Sequence, residues 1–324
     1  MNFTKTILAT TLLSTALYAQ GEIVTSVKPL GFIASSIADG VTNVNVIVPA
    51  GASPHDYNLK PTDVQKIKSA DLVLWIGKDV DGFLDKSIHQ IDQNKVIELA
   101  KLEAVKALLG RSAAHHHDDH DHDHDHDHDH DHDHDHDHDH DHAHKHEVDE
   151  NGLTVNWHIW YSPEISNVIA NQLAEKLSEK FPARKAQIAE NLANFNRTLT
   201  AKNEQIKSQL SAYKDKGFYV FHDAYGYFND AYGLKQIGEF TINPLVAPGA
   251  KKLAHIKEEI AEHKVACLFA EPQFTPKVID TLSKNTGVKV GRLDPMGDVI
   301  QLGKNAYVNF LQFTADSYAE CLSK

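Results

Sequence analysis

Cysteine is almost missing from this 324-residue chain, which has only Cys267 and Cys321. They form no close CxxC pair, so a cysteine-held metal site has no support. No cysteine stands directly after the N-terminal apolar segment, which removes the thiol that a lipid-anchored exported protein would need. Beyond that segment no apolar run is long enough to span a bilayer. There is no Walker motif for ATP and no HExxH of the zinc-protease type. Basic excess is lacking too. The formal charge is −13, and nucleic acid demands the opposite footprint.

What is present begins with a leader. Met1 to Ala19 carries Lys5, an apolar run from Ile7 to Ala16 and a small residue before Gln20, the pattern of a secretory signal peptide cut after Ala19. A soluble periplasmic protein is expected. In that oxidising setting Cys267 and Cys321 are expected to pair, the alternative being two buried thiols.

The largest anomaly lies between residues 115 and 146, which hold 17 His and 13 Asp with Ala143 and Lys145. These histidines are His115, His116, His117, His120, His122, His124, His126, His128, His130, His132, His134, His136, His138, His140, His142, His144 and His146. Imidazole nitrogen and carboxylate oxygen are ligands for borderline divalent metals, Zn²⁺ above all. A tract this charged and poor in apolar residues cannot offset its chain entropy by burial, so disorder without metal is expected. It carries −12 with neutral imidazoles and +5 with all of them protonated, leaving about −1 for the rest of the chain. The neighbouring carboxylates push that change to around or above ~6.5, the unperturbed imidazole value. Because alternate residues of an extended strand stand ~6.6–6.8 Å apart, the tract must fold back to surround an ion; it would hold ~4 ions in interchangeable sites.

From Glu22 onward short β-rich runs alternate with helical stretches. The pattern predicts strands at 23–27, 44–48, 72–76 and 95–99, with helices at 30–38, 62–69 and 83–88. A second series predicts strands at 218–221, 236–240, 266–270 and 288–293, with helices at 225–231, 251–263, 276–284 and 304–321. Between them come a helix at 163–181 and one very long helix at 182–213, where Ile188, Leu192, Phe195, Leu199, Ile206 and Leu210 keep helical spacing. The expected fold is α/β: two similar lobes with mostly parallel sheets, joined by a long rigid α-helix, with a metal site in the interlobe cleft. The lobes would cover residues 20–181, including the tract, and 214–324.

Six histidines lie outside the tract. His55, His158 and His222 each follow a strand-like run, where open α/β sheets place their ligands. Asp294 follows the 288–293 run and adds a carboxylate. Three imidazoles and one oxygen satisfy tetrahedral Zn²⁺ and suit Mn²⁺ poorly, whereas Cu²⁺ and Ni²⁺ stay open. A histidine after a strand is often an ordinary loop or core residue, so each position taken alone is weak. Four together carry more. His89, His255 and His263 lie within or beside amphipathic helices and are read as solvated, while Trp157, Trp160, Tyr225 and Phe228 are read as cleft walls or core.

Gly51-Ala-Ser-Pro-His55-Asp-Tyr57 and Lys60-Pro-Thr-Asp63 resemble the first-ligand motif of the metal-binding solute-binding proteins of ABC importers. Trp157-His158-Ile-Trp160, Phe221-His222-Asp-Ala-Tyr225-Gly-Tyr-Phe228, Glu271-Pro-Gln273 and Leu293-Asp294-Pro295 are similar to its later motifs, in order and over nearly all of the mature chain. The nearest likeness is to the zinc-specific branch, which commonly carries a His/Asp-rich loop. The resemblance implies His55, His158 and His222 as zinc ligands, with Asp294 or solvent as the fourth. Manganese members place Glu where His222 stands, and some zinc members have Glu before the first histidine, where this chain has Pro54.

The resemblance implies a monomeric zinc-binding protein that delivers Zn²⁺ to an ABC permease driven by an ATPase, and not an enzyme. Metal storage or chaperoning, with the tract primary, remains an alternative, as does a zinc hydrolase with an open coordination position.

Overall fold

The computed structural model describes residues 21–113, 153–241, 244–245, 248–274 and 277–323. The expected leader and the tract at 115–146 lie outside them. In the first half, β1 (Glu22–Thr25), α1 (Lys28–Ile37), β2 (Asn43–Val46), α2 (Pro61–Ser69), β3 (Leu72–Trp75), α3 (Lys78–Asp81), α4 (Asp85–Ile88), β4 (Val96–Glu98) and α5 (Glu103–Lys106) follow in turn. A short antiparallel ribbon, β5 (Arg111–Ala113) with β6 (Leu153–Val155), brackets the tract. Two long helices come next, α6 (Pro163–Lys180) and α7 (Lys185–Leu210). The second half holds β7 (Gly217–Val220), α8 (Gly226–Tyr232), β8 (Lys235–Glu239), α9 (Ala250–Glu262), β9 (Cys267–Ala270), α10 (Lys277–Thr286), β10 (Lys289–Arg292) and α11 (Ala306–Leu322).

Both four-stranded sheets are parallel, as the alternation of strands and helices requires. Their orders are β2-β1-β3-β4 and β10-β9-β7-β8. These are the same topology, since in each lobe the first strand lies between the second and the third. The order reverses between first and third strands, and ligands of such sheets gather at the carboxyl ends beside that switch. The central strands β3 (LVLW), β7 (GFYV) and β9 (CLFA) are buried along their length, which is why they read as unbroken apolar runs.

Two expectations need correction, and one element was not expected. The helix read at 83–88 is the end of a 3₁₀ turn at Gly82–Leu84 followed by the four-residue α4 (Asp85–Ile88), with the separate α3 just before it. The helix read at 182–213 is a 26-residue α7 flanked by 3₁₀ turns at Pro182–Arg184 and Ser211–Tyr213, so its regular part spans ~39 Å at 1.5 Å per residue. The β5–β6 ribbon had no counterpart in the sequence reading.

α7 buries Ile188, Asn191, Phe195, Leu199, Ile206 and Leu210. Asn191 Nδ2 donates to the carbonyls of Ile37 and Asp39 (2.9 and 2.8 Å), tying the spine to the end of α1. Further along, Tyr232 Oη donates to Asn203 Oδ1 (2.7 Å), and Gln312 Nε2 on α11 donates to Gln209 Oε1 (2.8 Å). One continuous apolar cluster runs from Ile23 and Phe32 through Trp160 and Phe195 to Phe218, Tyr318 and Leu322. The lobes therefore share a core. α11 packs on α1 and α7 as well as β10, and the Cys267–Cys321 disulfide (Cα–Cα 6.0 Å) fastens its end to the start of β9.

Candidate metal centre

The loop carrying His55 is built by its own motif. Gly51 adopts φ 78°, a left-handed conformation costly for other residues. His55 occupies a single 3₁₀ turn at Pro54–Asp56, with Ser53 Oγ accepting from the His55 N–H (3.2 Å). Behind it, the buried Asp63 carboxylate accepts from the Lys60 N–H (3.0 Å) and from Tyr57 Oη (2.8 Å). Burial, with Asp63 as acceptor, raises the Tyr57 phenol to about 12. The Lys60-Pro-Thr-Asp63 run thus begins α2 and pins the turn that presents His55.

His158 stands three residues past β6, on the far side of the ribbon from the tract. Asn156 Oδ1 accepts from both the His158 N–H (3.0 Å) and Nδ1 (2.9 Å). The Asn156 amide is oriented by its other end, since Nδ2 donates to the Asp223 carbonyl (3.0 Å). Tyr227 Oη donates to the Asn156 carbonyl (2.7 Å), and the Asn156 N–H donates to that of Gly110 (3.0 Å), so residues on both sides of the tract share one support.

His222 lies just beyond the carboxyl end of β7 and is 4% exposed. Its Nδ1 is 3.0 Å from Glu271 Oε1 and 2.8 Å from Oε2. Glu271 follows β9, the strand next to β7 across the switch, and also accepts from Tyr225 Oη (3.2 Å). Desolvation, with Glu271 nearby, holds the Tyr225 phenol well above its usual range. Glu271 was part of a recognised motif, but its supporting role was missed. Its position beside the switch was the available signal.

The three imidazoles converge. One ring nitrogen from each of His55, His158 and His222 lies within 4.8 Å of the others, with centroids 5.6, 5.6 and 5.1 Å apart. His158 Nε2 and His222 Nε2 are 3.3 Å apart. Two ligands at ~2.0–2.1 Å from a tetrahedral ion would stand ~3.3–3.4 Å from each other. Both Nδ1 atoms face acceptors and so carry the protons, leaving two Nε2 lone pairs facing each other, an arrangement that calls for a cation or proton between them. The rings border a cavity of about 10 Å³, room for roughly one water-sized body, walled by Trp160, Phe274, Pro295 and Met296.

Asp294 does not join this group. Its Oδ1 accepts from Gln273 Nε2 (3.0 Å) and the Met296 N–H (3.0 Å), and Oδ2 accepts from the Asp298 N–H (2.6 Å). These contacts turn the carboxylate toward its own loop and toward Gln273, which follows β9. His89, His255 and His263 are exposed, as read. Trp160 is buried, with Nε1 donating to the Pro295 carbonyl (3.1 Å), Trp157 is half-buried, and Phe228 is core. The tract histidines lie outside the described residues, among which no helix is long and apolar enough to cross a membrane.

Comparison with known proteins agrees with this architecture. Residues 23–321 match the family model described as ZnuA, zinc-uptake complex component A, periplasmic. The chain is 67% identical to the high-affinity zinc uptake system protein ZnuA of Haemophilus influenzae, covering 97% of this chain and 96% of that one. It is 53% identical to the protein of the same name from Haemophilus ducreyi, covering 99% and 100%. A crystal structure of ZnuA superimposes with TM-score 0.71 at 22% identity over 94% of this chain and 99% of that one, a likeness of fold. The chain belongs to the ZnuA family.

Proposed function

We propose that this protein captures Zn²⁺ outside the cytoplasm through His55, His158 and His222 and hands it to an ABC permease driven by an ATPase. It would act as a monomer, exported by the leader at residues 1–19, with residues 20–181 and 214–324 as lobes about a linker at 182–213. The observation that carries the reading is the pair of Nε2 atoms 3.3 Å apart, each on a ring whose Nδ1 faces a fixed acceptor. Three nitrogens with little room beside them favour tetrahedral zinc over ions that seek six oxygens. Asp294 is committed to neighbouring N–H groups, which leaves the fourth position to solvent.

An enzymatic role finds less support. A hydrolase would need a base beside the metal-bound water, whereas Glu271 faces Nδ1, on the opposite edge of the ring from the metal position. The His/Asp tract would serve as an accessory reservoir of weaker sites.

Competition titration against a chromophoric zinc chelator tests the assignment. The whole protein should show one tight site above several weaker ones, and His55→Ala, His158→Ala and His222→Ala should each abolish it. Deleting residues 115–146 should remove only the weaker sites. Tight binding that survives every histidine substitution and vanishes with the tract would favour storage.

A further inference from the structure

Loop 294–298 of the second lobe meets the His55 loop of the first through side chains that the zinc site does not use. Asp298 Oδ2 accepts from the Gly51 N–H (2.8 Å), four residues before His55. The Asp298 carbonyl accepts from Lys28 Nζ at the start of α1. Gln273 Nε2 donates both to Asp298 Oδ2 (3.2 Å) and to Asp294 Oδ1 (3.0 Å), while the Asp298 N–H closes onto Asp294 Oδ2. Lys28 is itself steadied over the Phe32 ring, 5.7 Å from its centroid.

We propose that Asp298 is a positioning residue for metal binding, a clasp from the second lobe that holds the Gly51–His55 loop against the cleft. The inference rests on the proposed zinc site and adds what keeps its first ligand in place. Two residues of the first lobe converge on one residue of the second, so pulling the lobes apart at this edge breaks both contacts. The left-handed turn at Gly51 aims its N–H at the carboxylate. Asp294 orients Asp298 through its backbone, which gives the diverted carboxylate a task in the site without making it a ligand. Release to the permease would follow from opening this clasp, since His55 cannot hold its place when the turn preceding it is free.

The test uses full-length protein loaded with one equivalent of zinc and mixed with excess EDTA, with affinity measured by chelator competition. Asp298→Ala should release zinc ~10-fold faster or more and bind ~10–100-fold more weakly, the range found when outer supports of a metal ligand are removed. The melting temperature of the metal-free protein should stay unchanged. Asp298→Asn, whose Oδ1 still accepts from the Gly51 N–H, should recover most of the loss. Lys28→Met, which leaves the carboxylate in place, should speed release by less and carries the test should Asp298→Ala not fold. Wild-type release from Asp298→Ala, or equal impairment of the Asn and Ala variants, overturns the clasp. His222→Ala in the same assay separates the two levels: a tight site that survives it refutes the site assignment, whereas its loss alongside unaltered Asp298→Ala refutes the clasp alone.

Discussion

A carboxylate placed behind an imidazole holds the Nδ1 proton and makes the opposite nitrogen a better ligand. Glu271 stands in that relation to His222, and the amide of Asn156 is a neutral counterpart behind His158. Glu271→Gln keeps the shape but loses the charge, so we expect zinc affinity to fall ~10–100-fold with little change in secondary structure, as read by chelator competition and circular dichroism. Asp81 behaves differently. It is fully buried just past β3, with Oδ2 accepting from the Ile76 N–H (2.8 Å), and desolvation raises its carboxyl from 3.8 to about 6. A folded-state value above the unfolded one favours the protonated form, so its stabilising effect is complete below about pH 4 and is lost as pH rises through about 6. The ionised form then costs up to ~3 kcal/mol. Asp81→Asn should accordingly be more stable than the parent at pH 8, with the difference shrinking through pH 6 and gone near pH 4, in urea unfolding of metal-free protein at each pH.

Among the elements, those buried on both faces were the most legible. β3, β7 and β9 announce themselves as apolar runs, and α7 shows its face because Ile188, Phe195, Leu199, Ile206 and Leu210 repeat over about six turns. Leu192, which keeps the same spacing, is only partly buried, since periodicity gives the direction of a side chain and not what covers it. Short elements were opaque for the opposite reason. β5 and β6 have three residues each and pair across the whole tract, so no local pattern could announce them. Lys60-Pro-Thr-Asp63 could be recognised, yet its use as a brace for Tyr57 and the His55 turn appears only when α2 and the loop are seen together.

For the molecule as a whole, the question is how far the lobes can move. α7 is hydrogen-bonded near one end to α1 and near the other to α8 and α11, and a single apolar cluster passes through both lobes. Wide closure would tear that cluster. Spin labels at exposed Gln90 and Glu258 should therefore shift their separation by no more than ~1–2 Å on zinc binding, the scale of small helix displacements. A shift of many ångströms would require a hinge within α7 and would refute the rigid spine.

The sequence by itself determined the strand–helix alternation, the repeat of one lobe in the other, the long helix between them and the candidate imidazoles, because each is written in local periodicity or in position after a strand. Which side chains meet was decided only by the tertiary structure. His55 and His222 follow strands of the two parallel sheets and His158 follows the antiparallel β5–β6 ribbon, yet the three meet in space, whereas Asp294 is held by the N–H groups of its own loop. Convergence of that kind depends on distances between segments at least 64 residues apart in the chain, which no spacing within any one of them can encode.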